Sequence, residues 1–160
     1  MATENQLPIR HVACAVRGRL ANRNAVRHAI RLALDNDARL TFFLVISGDF
    51  LGSASPTMSP TKTLYDRLTE IGEYILMLLS ERAVERGVSE VEHEVRIGDV
   101  RTNLRAFAKK TTAQILVMGR PSGVEPRSLF TPEEFSSFVE ELESISELKV
   151  DVVEPELNQD

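Results

Sequence analysis

The alternation of strand-like segments with segments of helical periodicity is the feature that most constrains the fold. Five segments have strand length and are rich in apolar or β-branched residues: 11–16, 39–46, 91–97, 114–118 and 148–153. The segments between them repeat apolar residues three and four positions apart, as amphipathic helices do. Strict alternation predicts right-handed crossovers, and therefore an α/β three-layer sandwich with a five-stranded, mainly parallel sheet.

One predicted helix is longer and more apolar than one face of a sheet requires. It extends from about Lys62 to Arg86, and Gly87 is placed to end it. Its apolar residues, Tyr74 among them, form more than one stripe. The longest predicted loop, residues 47–61, precedes it and is rich in Gly, Pro, Ser and Thr. We expect this loop or another subunit to cover the second stripe.

Charge is distributed unevenly along the chain. The first helix carries Arg23, Arg27 and Arg31, and the last carries Glu140, Glu141 and Glu143. We expect these two helices to lie side by side on one face of the sheet, where their charges complement each other. The alternative is that the asymmetry marks a binding tail.

The composition argues against several classes of protein. A net charge of -5 disfavours nucleic acid as a partner, because phosphate binding needs a basic surface. The start of the chain lacks signal-peptide features and no stretch has the length of a membrane span, so we expect a cytoplasmic protein without membrane insertion. We expect one domain over residues 1–160, with an ordered core at about 9–154. The lone Cys14 makes neither an internal disulfide nor a structural zinc site.

The common catalytic motifs are absent from the sequence. There is no GxxxxGK(S/T), GxGxxG, HExxH or GxSxG. His11, His28 and His93 are scattered along the chain, and each is expected to be structural or solvated. We therefore predict no catalytic residue and no metal site. An enzyme or electron-transfer subunit that shares the fold is the alternative, because a fold alone does not determine function.

The predicted ligand crevice lies beyond the carboxyl ends of the strands, where the strand order of such sheets reverses. Residues 17–19, 45–47 and 119–123 are placed around it. Several arginines near these positions could hold a small anion, because guanidinium groups pair well with phosphate oxygens. They are Arg17, Arg19, Arg120 and Arg127.

The last predicted helix has a strong start signal beside this crevice. Thr131 is a capping hydroxyl, Pro132 stands at the first helical position, and Glu134 is placed for a reciprocal capping box. Glu133 and Glu134 put carboxylates in the first turn, where they repel a triphosphate. The helix start is therefore expected to be filled by its own side chains.

Three parts of the chain, within about residues 10–119, resemble the universal stress protein family. They are HVACAVRG followed by NAVRHAIRLA, then LTFFLVIS, then VRIGDVRTNLRAFAKKTTAQILVMGR. The third is the most specific, because it contains the family's strand, Gly-polar turn, helix and VMG strand in the usual spacing. The resemblance implies the flavodoxin-like strand order 3-2-1-4-5, a homodimer and a role in stress response. Family members fall into ATP-binding and non-ATP-binding branches.

The family's nucleotide site can be matched to this chain at its first two strands. Arg17 stands where ATP-binding members have an acidic residue, and Gly18 matches the next position. Val45 occupies the place of the valine whose backbone meets adenine.

After the fourth strand, the ATP motif of the family reads G-x2-G-x9-G-(S/T). Gly119 fits the first glycine, but Ser122 stands at the second, with Gly123 one place late. Only Thr131 matches the final pair. The ligand-binding residues implied are Arg17, Gly18, Arg19, Val45, Gly119, Arg120, Ser122, Gly123, Arg127 and Thr131. We predict a regulatory or stress-response binding module without a cofactor; the alternative is an arginine-modified site for ATP or AMP with Mg²⁺.

The resemblance also implies where two copies of the chain pair. We expect a homodimer through the last strand, from Leu148 to Val153. Pairing Val150 with its own symmetry mate sets Lys149 opposite Asp151 of the other copy. The alternative is that these charges only protect an open sheet edge. The sequence identifies no other protein partner.

Overall fold

The computed structural model describes residues 8–16, 23–47, 59–121 and 130–155. Within these residues, strands and helices alternate as predicted. In chain order they are β1 (His11–Val16), α1 (Arg23–Asn36), β2 (Arg39–Ile46), α2 (Ser59–Glu85), β3 (Val91–Ile97), α3 (Val100–Lys110), β4 (Ile115–Gly119), α4 (Pro132–Ile145) and β5 (Lys149–Val153). The strands are parallel and lie in the order β3-β2-β1-β4-β5. The predicted α/β fold and strand order are confirmed.

The central strand β1 is buried on both faces because its residues are small and apolar. Val12 and Cys14 belong to the core beneath α1 and α2, whereas Ala13 belongs to the core beneath α3 and α4. All three side chains are fully buried. Burial disfavours the thiolate and raises the pKa of Cys14 to about 12, so this thiol is unreactive.

The helices lie in pairs on the two faces, which corrects the expectation from the charge pattern. From β1 the chain moves to β2 and then β3 in one direction, and right-handed crossovers put α1 and α2 on one face. It returns across the sheet to β4 and β5 in the opposite direction, which puts α3 and α4 on the other face. The prediction that the first and last helices are neighbours is therefore wrong.

The acidic charge of α4 is balanced by α3 instead. Arg105 donates two hydrogen bonds to the Glu141 carboxylate, from Nε at 2.7 Å and from Nη2 at 3.2 Å. Arg101 Nη2 donates to Glu134 Oε2 at 2.7 Å. These side chains are each more than a third exposed, so solvent screens both pairs and they contribute little to stability.

The boundaries of α2 largely follow its local signals. The helix begins at Ser59, earlier than the predicted start near Lys62, and ends at Glu85. Gly87 then has φ +113°, a conformation that glycine adopts without steric cost. No helix among the described residues is long and apolar enough to cross a membrane.

A polar network around His11 closes the amino end of the sheet. Its Nε2 lies 2.7 Å from Thr41 Oγ1 and its Nδ1 lies 2.8 Å from Thr112 Oγ1. Arg39 Nη2 donates to the same Thr112 oxygen at 2.6 Å, which leaves the hydroxyl hydrogen of Thr112 for Nδ1. Burial, together with the nearby Arg39 charge, lowers the pKa of His11 to about 4, although Glu90 opposes the shift. His11 is therefore a neutral structural residue.

The strand β5 forms one edge of the sheet. One of its outward-facing backbone N–H groups is hydrogen-bonded to the side chain of Glu143. The Lys149 N–H donates to the Gln114 carbonyl, on the side of β4. The next N–H along the strand, that of Val150, points away from β4 and donates to Glu143 Oε1 at 3.0 Å.

Candidate ligand crevice at the carboxyl edge of the sheet

The carboxyl ends of the central strands meet at one edge, as the crevice prediction requires. Ala15 of β1 lies in register with Phe43 on one side and with Met118 on the other. Val45 and Gly119 therefore lie on the two strands that flank β1, roughly 10 Å apart, which is twice the strand spacing. The structure places these two predicted site residues at the same edge but not in contact.

The predicted site residues fall into two groups. Val45, Gly119, Arg120 and Thr131 are described. The others lie outside the described residues: Arg17, Gly18, Arg19, Ser122, Gly123 and Arg127.

The two described strand residues contribute backbone to this edge. Val45 is half-buried, lies in register with Arg96 of β3, and packs its side chain against the core beneath α3 and α4. Gly119 ends β4 in register with Val153 of β5. Their side chains offer no polar group, so any polar contact to a ligand from these two residues would be through main-chain atoms.

Arg120 has partners within the chain. Its Nε donates to Glu154 Oε1 at 2.8 Å, just beyond the end of β5. The guanidinium carbon also lies 5.8 Å from the centre of the Phe135 ring, within the range of a cation–π contact. An anion that uses this arginine must compete with the carboxylate of Glu154.

The start of α4 is filled by its own groups, as predicted. Thr131 Oγ1 accepts a hydrogen bond from the Glu134 N–H at 3.1 Å, and the Thr131 carbonyl accepts from the Phe135 N–H at 2.9 Å. Pro132, at the first helical position, has no N–H to offer. Glu133 and Glu134 place two carboxylates in the first turn. The predicted reciprocal bond of Glu134 is replaced by its ion pair with Arg101 of α3.

The start of α3 reaches the same edge and is also capped from within. The Gly98 N–H donates to the Ile46 carbonyl at 3.0 Å, which places the turn before α3 at the end of β2. Asp99 Oδ2 then accepts from the Thr102 N–H at 2.8 Å and from its hydroxyl at 2.6 Å. These two hydrogen bonds lower the pKa of Asp99. The starts of α3 and α4 therefore each already have an acceptor of their own.

Sequence reasoning missed three of the side chains that shape this edge. Glu154 had no local signal, because only the pairing of β4 with β5 brings it to Arg120. The contact of Arg101 with Glu134 had no local sequence signal either, because it depends on α3 and α4 lying on the same face of the sheet. Asp99 could have been recognised as a cap, since it stands directly before the helix and three residues before Thr102. Among the described residues, no cluster of His, Cys, Asp and Glu could hold a metal ion.

Comparison with solved structures shows the same architecture in other proteins. Universal stress protein UspA from Lactobacillus plantarum superposes with a TM-score of 0.74 at 16% identity, over 92% of this chain and 99% of that one. A universal stress protein family member from Burkholderia pseudomallei gives 0.64 at 23% identity, over 89% and 94%. One from Arabidopsis thaliana, with AMP bound, gives 0.58 at 17% identity, over 94% of each chain. At these identities the likeness shows the fold alone.

The sequence itself carries the family relationship. Among curated proteins, none matches the chain. The model of the universal stress protein family, however, matches residues 8–131, well over half of the chain. The matched region runs from β1 to the cap of α4 and includes the whole predicted crevice. The chain belongs to the universal stress protein family.

Proposed function

We propose that this protein is a regulatory or stress-response binding module whose crevice does not bind ATP. The observation that carries the proposal is the closed start of α4, where Thr131 and Pro132 leave few N–H groups free. A helix start attracts phosphate through such free groups and through the positive end of its dipole. Here the Thr131 side chain accepts the Glu134 N–H, Pro132 has no N–H, and the carboxylates of Glu133 and Glu134 repel an incoming phosphate.

Calorimetry with MgATP tests the proposal. We expect no heat of binding at micromolar protein concentration for the wild type. A measured micromolar affinity that weakens in Arg17→Ala and Arg120→Ala would overturn it in favour of an arginine-modified nucleotide site.

A pair of variants tests whether the carboxylates in the first turn are responsible. The double change Glu133→Gln and Glu134→Gln removes two negative charges there and should raise affinity for a polyphosphate. The control change Glu140→Gln, further along the same helix and also exposed, should have no effect on this affinity. Equal polyphosphate affinity in the two variants would show that charge at the helix start does not control binding.

The second candidate is an arginine-modified site that binds ATP or AMP with Mg²⁺ in the crevice. It is favoured by the family members solved with AMP, dAMP and cAMP, although their low identity carries no ligand over to this chain. In this reading the arginines near the crevice replace the missing glycines. Glu154→Gln should then strengthen AMP binding, because it frees Arg120. Unchanged or weaker AMP binding in this variant would count against the arginine-modified site.

We also propose a homodimer in the cytoplasm, built by antiparallel pairing of β5. The support is the position of β5 at one edge of the sheet, where the Val150 N–H faces away from β4 and would exchange its bond to Glu143 for one to the partner strand. Val150→Pro removes that donor and should convert the dimer to a monomer in sedimentation experiments. The control change Val91→Ala, in β3 at the opposite edge of the sheet, should leave the mass unchanged. A dimer that survives Val150→Pro would show that β5 only forms a protected edge.

A further inference from the structure

One face of α2 is apolar and has no cover among the described residues. It carries Leu64, Ile71, Tyr74 and Leu78, which we call the α2 stripe. Ile71 and Tyr74 are 55% and 59% exposed, while Leu76 on the opposite face is fully buried. Leu64, Ile71 and Leu78 are spaced seven residues apart, the repeat of a seam between two helices. A stripe this long indicates an interaction surface, unlike single exposed apolar residues.

We propose that the α2 stripe packs against the same stripe of a second copy of the chain. The two helices run antiparallel, and the twofold axis is level with Leu76. In this register Tyr74 of each copy lies opposite Leu78 of the other. Met77, which is 40% exposed, then lies beside Met77 of the second copy. The contact is isologous, so both copies use the same surface.

Charge selects the antiparallel direction. The axis at Leu76 sets Arg67 of each copy opposite Glu85 of the other, and Leu64 lies beyond this contact. Arg67 also forms an exposed pair with Glu70 of its own helix, with Nη1 3.6 Å from Oε2, and Glu85 must compete with that carboxylate. A parallel contact would instead set Arg67 against Arg67 and Glu81 against Glu81 of the second copy, which is repulsive. Opposite charges at both ends, with an apolar pair of Tyr74 and Leu78 on each side of the axis, match a second copy of this chain.

Charge also selects the register. Shifting the antiparallel pair by one heptad puts Arg67 opposite Leu78 and Glu81 opposite Leu64. Each charge would then be desolvated against an apolar side chain, which is unfavourable. The register centred at Leu76 avoids both of these contacts and leaves one charge per copy against an apolar side chain, Glu81 opposite Ile71.

The contact is small, so the association is weak. One helix face on each copy covers less than the ~800 Å² per partner of a standard stable interface. We expect a dissociation constant in the micromolar range for this contact alone, without any pairing through β5. The experiments below therefore use high protein concentration and the Val150→Pro background, which separates this contact from a β5 dimer.

Cross-linking with a short bis-maleimide tests the register directly. Met77→Cys should give a covalent dimer, because the two side chains lie near the axis. Leu64→Cys is the matched control: Leu64 is 41% exposed on the same helix, yet its two copies would be roughly 36 Å apart at 1.5 Å per residue. The native Cys14 is fully buried and does not compete. No dimer from Met77→Cys, or equal yields from both variants, would overturn the proposal.

Charge reversal followed in sedimentation velocity provides a second test. Arg67→Glu and Glu85→Arg should each weaken association at least several-fold, and the double variant should restore it. Tyr74→Glu should abolish association while helix content, measured by circular dichroism, stays unchanged. If Tyr74→Glu instead lowers the melting temperature without changing the mass, the stripe is covered within one chain and the proposal is wrong.

Discussion

The buried His11 makes stability depend on pH in a range where most carboxylates stay ionised. Its folded pKa of about 4 lies below the ordinary value of 6.5. Between these values the unfolded chain binds a proton that the folded chain does not, so the free energy of unfolding falls as pH falls. The full cost of protonating the ring in the folded state is about 3 kcal/mol.

A measurement between pH 7 and pH 5 captures most of this effect. Linkage gives a loss of about 2 kcal/mol over this interval from His11 alone. At a urea dependence of about 2 kcal/mol/M, the unfolding midpoint should fall by about 1 M. His11→Gln can keep hydrogen bonds to Thr41 and Thr112 but has no proton to gain, so its midpoint should change much less. Protein concentration must be equal in all samples, because self-association also shifts the midpoint.

Nuclear magnetic resonance gives a direct check on the same residue. The imidazole of His11 should remain neutral at pH 5 and titrate near pH 4. The reasoning is refuted if the ring titrates near pH 6.5. It is also refuted if wild type and His11→Gln lose equal stability between pH 7 and pH 5.

Three further predictions concern the packing of the α3 and α4 face. Asp99→Ala removes the cap of α3 and should cost about 1 kcal/mol in urea unfolding, whereas a change at exposed Lys110 should cost little. Leu142→Ala empties a fully buried position in α4 and should cost about 2–5 kcal/mol, which a midpoint shift would report. A double-mutant cycle on Arg105 and Glu141 should give a small coupling energy that decreases in high salt; a coupling energy independent of salt would contradict an exposed ion pair.

The fold was predictable because its signals are local. The apolar run of β1, the alternation in β3 and the glycine after α2 each report the conformation of a few neighbouring residues. The cap at Thr131 was predictable for the same reason, because a cap hydrogen-bonds residues two or three positions away.

The arrangement of charge at the crevice was not predictable, because it depends on which elements share a face. The prediction for α1 and α4 was wrong because it treated them as neighbours. The chain adds β2 and β3 on one side of β1 and then β4 and β5 on the other, and this reversal puts α1 and α4 on opposite faces of the sheet. The same limit hid the contact of Arg120 with Glu154, which becomes visible only when β4 and β5 pair. Candidate ligand residues were therefore identified by type, but their competing partners were not.

The hydrogen bond from Val150 to Glu143 has a consequence for proteostasis. An unpaired strand edge is a template onto which any extended chain can add, and repeated addition produces aggregates. The Glu143 carboxylate occupies the donor that such an addition needs first, and its charge repels an incoming acidic segment. An added strand must displace this bond before its own carbonyl can accept the Val150 N–H. Glu143 thus makes every addition at this edge less favourable, as charged side chains at strand edges do.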